Sequence, residues 1–161
     1  MEINYVIGDA TQPVSENPVI ICHIVNNLSR WGKGFVMALS RRYPQPEREY
    51  RRWHQGETGI PWGLGQVQFV EISPRLWVAN MIAQHGIGSD QNGQPPIRYA
   101  ALSSSLAKVA DFGLSHQAEV HLPRIGTGLA GGKWEQIAPL LEQNLTQRGI
   151  VVTVYDQPCA P

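Results

Sequence analysis

An excess of either charge is missing from this chain. Across 161 residues, thirteen Lys and Arg balance thirteen Asp and Glu, and only 16% of positions are charged. Duplex nucleic acid and anionic membranes attract strongly basic surfaces, so neither is an expected partner. Cysteine is scarce as well. Cys22 and Cys159 are too few for a disulfide scaffold or a zinc site. Cys22 falls in an apolar run and reads as a buried thiol, and Cys159 falls in a Pro-rich tail, residues 157–161. No apolar run approaches the ~20 residues that span a bilayer. Met1–Ile7 lacks the charged start and apolar middle of a secretion signal. The five tryptophans form no stacking stripe for single-stranded nucleic acid. The expectation is a cytoplasmic monomer with no metal and no cofactor.

Glycine, by contrast, is concentrated. Pro123-Arg124-Ile125-Gly126-Thr127-Gly128-Leu129-Ala130-Gly131-Gly132-Lys133-Trp134 holds four glycines within seven residues. Such a cluster is costly in a helix or a central strand. It follows the apolar run Val120–Leu122 and precedes a helical pattern, Ile137 to Leu145. A strand-to-helix loop with bare N–H groups is suited to cradling an anion. Thr127 would add a hydroxyl donor, and Lys133 and Arg124 a positive field. The spacing matches neither Walker A nor G-x-G-x-x-G.

Taken in order, Ile3–Ile7 reads as a strand halted at Gly8-Asp9. Val19–Val25 is a continuous apolar run, as in a central strand covered on both faces. It ends in a second glycine-bearing loop, Asn26–Gly34. Phe35 to Arg42 and Pro46 to His54 read as helices, Gln66–Ile72 and Leu76–Ile82 as a hairpin, and Gln84–Pro96 as a long loop. Ile97–Phe112 is an amphipathic helix, Glu119–Leu122 a strand, 134–148 a helix that starts late or bends at Pro139, and Ile150–Tyr155 the closing strand. The fold class is α/β, a three-layer α/β/α sandwich with a mixed central sheet, as one domain over residues 1–156.

The loops after two apolar strands would flank one crevice at the carboxyl edge of the sheet. Paired N–H cradles suit a ligand with more than one phosphate. Asp9 fits either a cap for its own turn or an acceptor for an exocyclic amine. Arg124 fits a phosphate clamp or a partner for a carboxylate. Asn26 and Asn27 suit sugar hydroxyls, although asparagine in a turn needs no ligand. For proton transfer the available groups are His85, Asp90 and His23, the last placed inside an apolar strand where a core role is the alternative.

Ile7-Gly8-Asp9-Ala10-Thr11, the Asn26–Gly34 loop and the Pro123–Trp134 loop together resemble the macrodomain family. The Pro-Arg-Ile-Gly-x-Gly-Leu run with its following Trp, and the closing Val-Thr-Val-Tyr, are similar to one branch of it. That branch contains the terminal ADP-ribose protein glycohydrolase and the yeast-type ADP-ribose-1″-phosphate phosphatase. The likeness runs from residue 3 to 156. It implies binding of ADP-ribose or an ADP-ribosylated protein, and hydrolysis of an ADP-ribosyl ester link or of ADP-ribose-1″-phosphate. The alternative is a reader without turnover. Asp9 would meet the adenine amine, with Ala10 and Tyr155 nearby. Asn26, Asn27, Trp31, Gly32, Lys33 and Gly34 would line the distal ribose, with Arg30 close by. Gly126, Thr127, Gly128 and Leu129 would embrace the diphosphate, with Arg124, Ile125 and Ala130 also among the ligand-binding residues. Two positions depart from the glycohydrolase: Ala130 stands where it has an acid, and Gln84-His85 where it has a catalytic lysine.

Overall fold

A computed structural model describes residues 1–158; of the expected tail, residues 159–161 with Cys159 lie outside the described residues. Six strands and four helices follow one another as β1 (Asn4–Ile7), β2 (Val19–Asn26), α1 (Phe35–Arg42), α2 (Gln45–His54), β3 (Val67–Ser73), β4 (Leu76–Gln84), α3 (Tyr99–His116), β5 (Glu119–Pro123), α4 (Trp134–Asn144) and β6 (Val152–Asp156), with a short 3₁₀ turn at Thr146–Arg148. The strands form one sheet in the order β1-β6-β5-β2-β4-β3. All pairings are parallel except that of β3 with β4, where Phe69 faces Ala79 and Val70 faces Val78. The expected three-layer sandwich with a mixed sheet is therefore the observed architecture.

β2 is buried along almost its whole length, as its unbroken apolar run implies. Val19, Ile21 and Val25 pack under α1 and α2 with Leu39, Tyr50 and Trp53. Ile20 and Cys22 pack on the opposite face with Leu102, Leu106, Ile137 and Leu141 of α3 and α4. Each fully buried Ile or Leu contributes about 1.5–3 kcal/mol, so these two clusters supply the main cohesion of the layers.

Several boundaries differ from the sequence reading. α3 begins at Tyr99 because Ile97 makes a bridge with Gln84 instead, and it runs on to His116. α4 starts at Trp134 with Pro139 inside it, so it does not start late. Pro139 and Glu135 are exposed, and the Glu135 carbonyl left without an N–H partner faces water. The helix stops at Asn144, and the expected last turn is the separate 3₁₀ turn.

α2 also fixes the loop that follows β2. The buried Tyr50 hydroxyl donates to the Asn26 carbonyl at 2.6 Å and contacts the Asn26 side-chain oxygen at 3.0 Å. Tyr50→Phe leaves that carbonyl without its buried donor. The expected loss is about 1–3 kcal/mol in urea unfolding, with faster amide exchange at Leu28 and Arg30.

Candidate functional site

The sheet order reverses at β2. From β2 the chain passes through α1 and α2 on one face to the edge strand β3, then turns back into β4 beside β2. It crosses to β5 on the other side of β2 through α3 on the opposite face. The loops after β2 and β5 are thereby parted, and a crevice opens between them at the carboxyl edge. Two adjoining hollows of about 670 and 590 Å³ fill this place. They share Ile24, Lys33, Val36, Gln84 and Leu129.

The loop after β5 forms one wall. Arg124, Ile125, Gly126, Thr127, Gly128, Leu129 and Ala130 all line the larger hollow. The loop is closed by Gly132 N–H donating to the Gly126 carbonyl at 2.7 Å and Gly131 N–H to the Gly128 carbonyl at 3.0 Å. By contrast, the N–H groups of Gly126 through Ala130 have no acceptor among the described residues. Three of the glycines answer to packing: a Cβ on Gly126 would lie 2.7 Å from Ile97 Cδ1, one on Gly131 2.7 Å from Pro95 Cβ, and one on Gly132 only 2.6 Å from the Gly126 carbonyl oxygen. Gly128 differs, because a Cβ there would meet open space. Leu129, 64% exposed, overhangs both hollows.

Facing this loop is the start of α1. Gly34 occupies the N-cap with φ 84° and no side chain caps the helix. The first N–H groups therefore remain available to an anion. Lys33 and Gly34 line the larger hollow, as do Phe35 and Arg41. The smaller hollow lies beside Asn26, Arg30, Trp31 and Gly32. Its loop is held internally. Asn26 accepts the N–H groups of Leu28 and Arg30 on its side-chain oxygen, at 3.0 and 3.1 Å, and donates to the Arg30 carbonyl at 2.9 Å. Ser29 sits at φ 61°, and Arg51 donates to its carbonyl at 3.0 Å. Trp31 is anchored by its N–H on Ser40 and packs edge-on against His23.

Other residues singled out from the sequence take different positions. Asp9 caps its own turn, accepting Thr11 N–H at 2.8 Å and the Thr11 hydroxyl at 2.7 Å, with Arg42 at 3.6 Å. The Thr11 hydroxyl bond above all, helped by the Thr11 N–H and Arg42, holds the Asp9 carboxyl below its ordinary range against the opposing effect of burial. Asp9 and the buried Ala10 line neither hollow, although Gly8 beside them touches the Tyr155 ring. Tyr155 does line the larger hollow, with its hydroxyl bonded to His121 at 2.7 Å and receiving Val14 N–H. Thr127 corrects one expectation: its hydroxyl donates to the Arg124 carbonyl at 2.8 Å, so it is not a free donor. Arg124 grips Asp156 through two bonds, at 2.5 and 3.1 Å, and lies between the rings of Tyr5 and Trp134. The carboxylate pairing offered by the sequence is the one formed, and it keeps the Asp156 carboxyl low.

Of the three groups available for proton transfer, His85 and Asp90 are not brought to the crevice. His85 is exposed and receives a bond from the Asn27 side-chain amide at 3.0 Å, while Asn27 accepts Gly86 N–H. Asp90 accepts the N–H groups of Asn92 and Gln94 in its own loop. Neither they nor Asn27 line either hollow, and the His85 N–H is bonded to the Pro96 carbonyl at 2.8 Å. His23 does line the larger one, buried in the layer under α1. Desolvation pushes its pKa down to about 4. Sequence reading passed over Phe35, Arg41 and Arg51. Phe35 was accessible in principle, since a helix that begins directly after a glycine-bearing loop turns its opening residues toward whatever that loop binds; Arg41 lies in the last turn of α1 and had no such signal.

No family model matches the chain. The macrodomain protein of Streptomyces coelicolor is 52% identical, with a TM-score of 0.86 over 98% of this chain and 100% of that one. Chromodomain-helicase-DNA-binding protein 1-like of Mus musculus is 33% identical over 95% of this chain but only 17% of its own length. The chain thus spans about a sixth of that relative. Thermosipho africanus DarTG, solved in complex with ADP-ribose, shares the fold at a TM-score of 0.75 and 16% identity, over 99% of this chain and 43% of that one.

The depressed His23 pKa sets a stability profile. Between pH 6.5 and about 4 the unfolded chain takes up a proton that the folded ring does not accept. Stability therefore falls as pH falls through that window, and is recovered above 6.5. From pH 7 to pH 5 this one group removes about 2 kcal/mol. Denaturant melts at the two pH values are expected to show the drop, smaller by that amount in His23→Phe.

Proposed function

We infer the function from one premise: the chain belongs to the macrodomain family. On that premise the crevice between the β2 and β5 loops takes ADP-ribose. The observation that carries this reading is the row of N–H groups from Gly126 to Ala130 without acceptors, opposite the uncapped start of α1 and beside Lys33. A diphosphate satisfies both cradles at once, each offering N–H dipoles and a positive helix end or lysine. The distal ribose then falls in the hollow beside Asn26–Gly32, and the adenine end toward Tyr155 and Asp9. The complex of the Thermosipho relative with ADP-ribose supports the ligand class.

We propose further that the crevice processes ADP-ribose derivatives, cleaving an ADP-ribosyl ester or the 1″-phosphate. A curated relative from Lodderomyces elongisporus, 22% identical over 89% of this chain, bears the name ADP-ribose 1″-phosphate phosphatase. Chemistry here proceeds without a protein nucleophile: a water between the two loops attacks the ester carbonyl carbon or the 1″-phosphorus. The bond from that atom to the 1″ oxygen breaks, and the water's proton passes to the 1″ oxygen so that it leaves as the ribose hydroxyl. The N–H row holds the diphosphate in place. One observation favours the reader alternative. Ala130 and Gln84 line the crevice where an acid or a lysine would act, and neither transfers a proton.

Isothermal calorimetry with ADP-ribose tests the binding, and affinity weaker than millimolar would end this reading. Gly128→Val is the matched variant. Its side chain enters open space, so the melting temperature stays unchanged while the N–H row is obstructed. ADP-ribose affinity is expected to fall about tenfold or more, which corresponds to about 1.4 kcal/mol. Incubation with ADP-ribosylated protein and with the 1″-phosphate then separates hydrolase from reader, since saturable binding without product release leaves only the reader.

A further inference from the structure

Beneath the crevice a line of buried polar side chains crosses three strands. His23 Nε2 lies 2.5 Å from the Asn80 side-chain oxygen on β4. Asn80 donates its amide to Gln68 Oε1 on β3 at 3.0 Å and to the Pro46 carbonyl at 3.2 Å. Gln68 donates its own amide to the Glu49 carbonyl of α2 at 2.8 Å. His23 and Asn80 are buried almost completely, and Gln68 nearly so.

The directions of these bonds follow from their far end. A backbone carbonyl can only accept, so the amide end of Gln68 faces Glu49 and its oxygen faces Asn80. Asn80 must then donate toward Gln68 and Pro46, which turns its oxygen to His23. The proton in that contact therefore belongs to His23 Nε2. A neutral imidazole carries one N–H, which leaves Nδ1 a bare lone pair.

That lone pair has no partner among the described residues. A buried acceptor without a donor costs about 1–3 kcal/mol, and native structures rarely leave one without a reason. His23 is also among the residues that line the larger hollow, beneath Lys33, Gly34 and Phe35. Burial keeps the ring neutral down to about pH 4, so Nδ1 stays an acceptor. Phosphate oxygens are acceptors too and are repelled by it. Its partner must bring an O–H or an N–H, and with the adenine amine at the Tyr155 end the ligand's remaining donors are O–H groups.

We propose that His23 Nδ1 is a ligand-facing acceptor on the crevice floor that receives an O–H donor, either a sugar hydroxyl or a water bound together with the ligand. This rests on the ADP-ribose reading. His23 is then a binding residue, and Asn80 and Gln68 are positioning residues that act through its tautomer.

The test is long-range proton–nitrogen NMR of the ring nitrogens in ¹⁵N-histidine-labelled protein, alone and saturated with ADP-ribose or ADP. Backbone amides of Gly126 to Gly132 report occupancy independently. The free protein is expected to show His23 as the Nε2–H tautomer. ADP-ribose is expected to move Nδ1 upfield, toward a hydrogen-bonded acceptor, without protonating it. A shift with ADP-ribose alone assigns the donor to the distal ribose, whereas the same shift with ADP assigns it to a water or the adenosine ribose. His23→Phe keeps the ring packing and is expected to weaken ADP-ribose about three- to tenfold. Loop amides that move while Nδ1 does not would overturn the inference and leave ADP-ribose binding intact. An Nδ1–H tautomer, or a proton gained on binding, would also overturn it. Loop amides that do not respond to ADP-ribose would remove the binding reading and this inference with it.

Discussion

The molecule depends on the pairing of β2 with β4 on one side and β5 on the other. All three strands run in the same direction, so their carboxyl ends meet at one edge. The connections that leave β2 and β5 pass to opposite faces of the sheet. No loop can bridge that gap without crossing the edge, and the space between them is left open. Burial on both faces makes β2 immovable, so the two loops diverge from a rigid base. Everything attributed to the crevice, including its width and its donors, descends from that arrangement.

Around the gap the backbone polar groups divide into two kinds. Those that hold the walls are saturated: Asn26 binds the Leu28–Arg30 turn, Tyr50 seals its carbonyl, and Gly132 closes the loop after β5. Those that face the opening are left without acceptors, at Gly126–Ala130 and at the start of α1. The division explains how an irregular segment keeps its shape before a ligand arrives. Little reorganisation is then needed on binding, which favours affinity by lowering the entropy lost there.

Much of this was legible in the chain. The apolar run of β2 and the helical spacing of α3 each reported a local pattern that packing preserved. The two glycine-bearing loops were found because glycine clusters are locally costly. What escaped was non-local. Gly126 and Gly132 are small because Ile97, distant in sequence, presses against them. His85 and Asp90 occupy a loop whose direction is set by Pro96 and by turn bonds that no spacing rule exposes. Asn26 and Asn27 looked alike, yet one lines a hollow and the other tethers His85. The Arg124 pairing with Asp156 spans the ends of two adjacent strands, and only the sheet order makes them neighbours.

The polar line from His23 through Asn80 to Gln68 has a consequence for how relatives of this chain can diverge. Each member is both donor and acceptor, with its orientation dictated by the next. Replacing any one of the three leaves at least one polar group unpaired inside an apolar layer: the Asn80 oxygen when His23 goes, and three groups when Asn80 goes. The sites are therefore epistatic: an apolar side chain at position 80 is harmful while His23 and Gln68 remain, and tolerable after both have changed. Lineages with this line are expected to keep it whole or to have lost it whole. The intermediates are the sequences that selection removes.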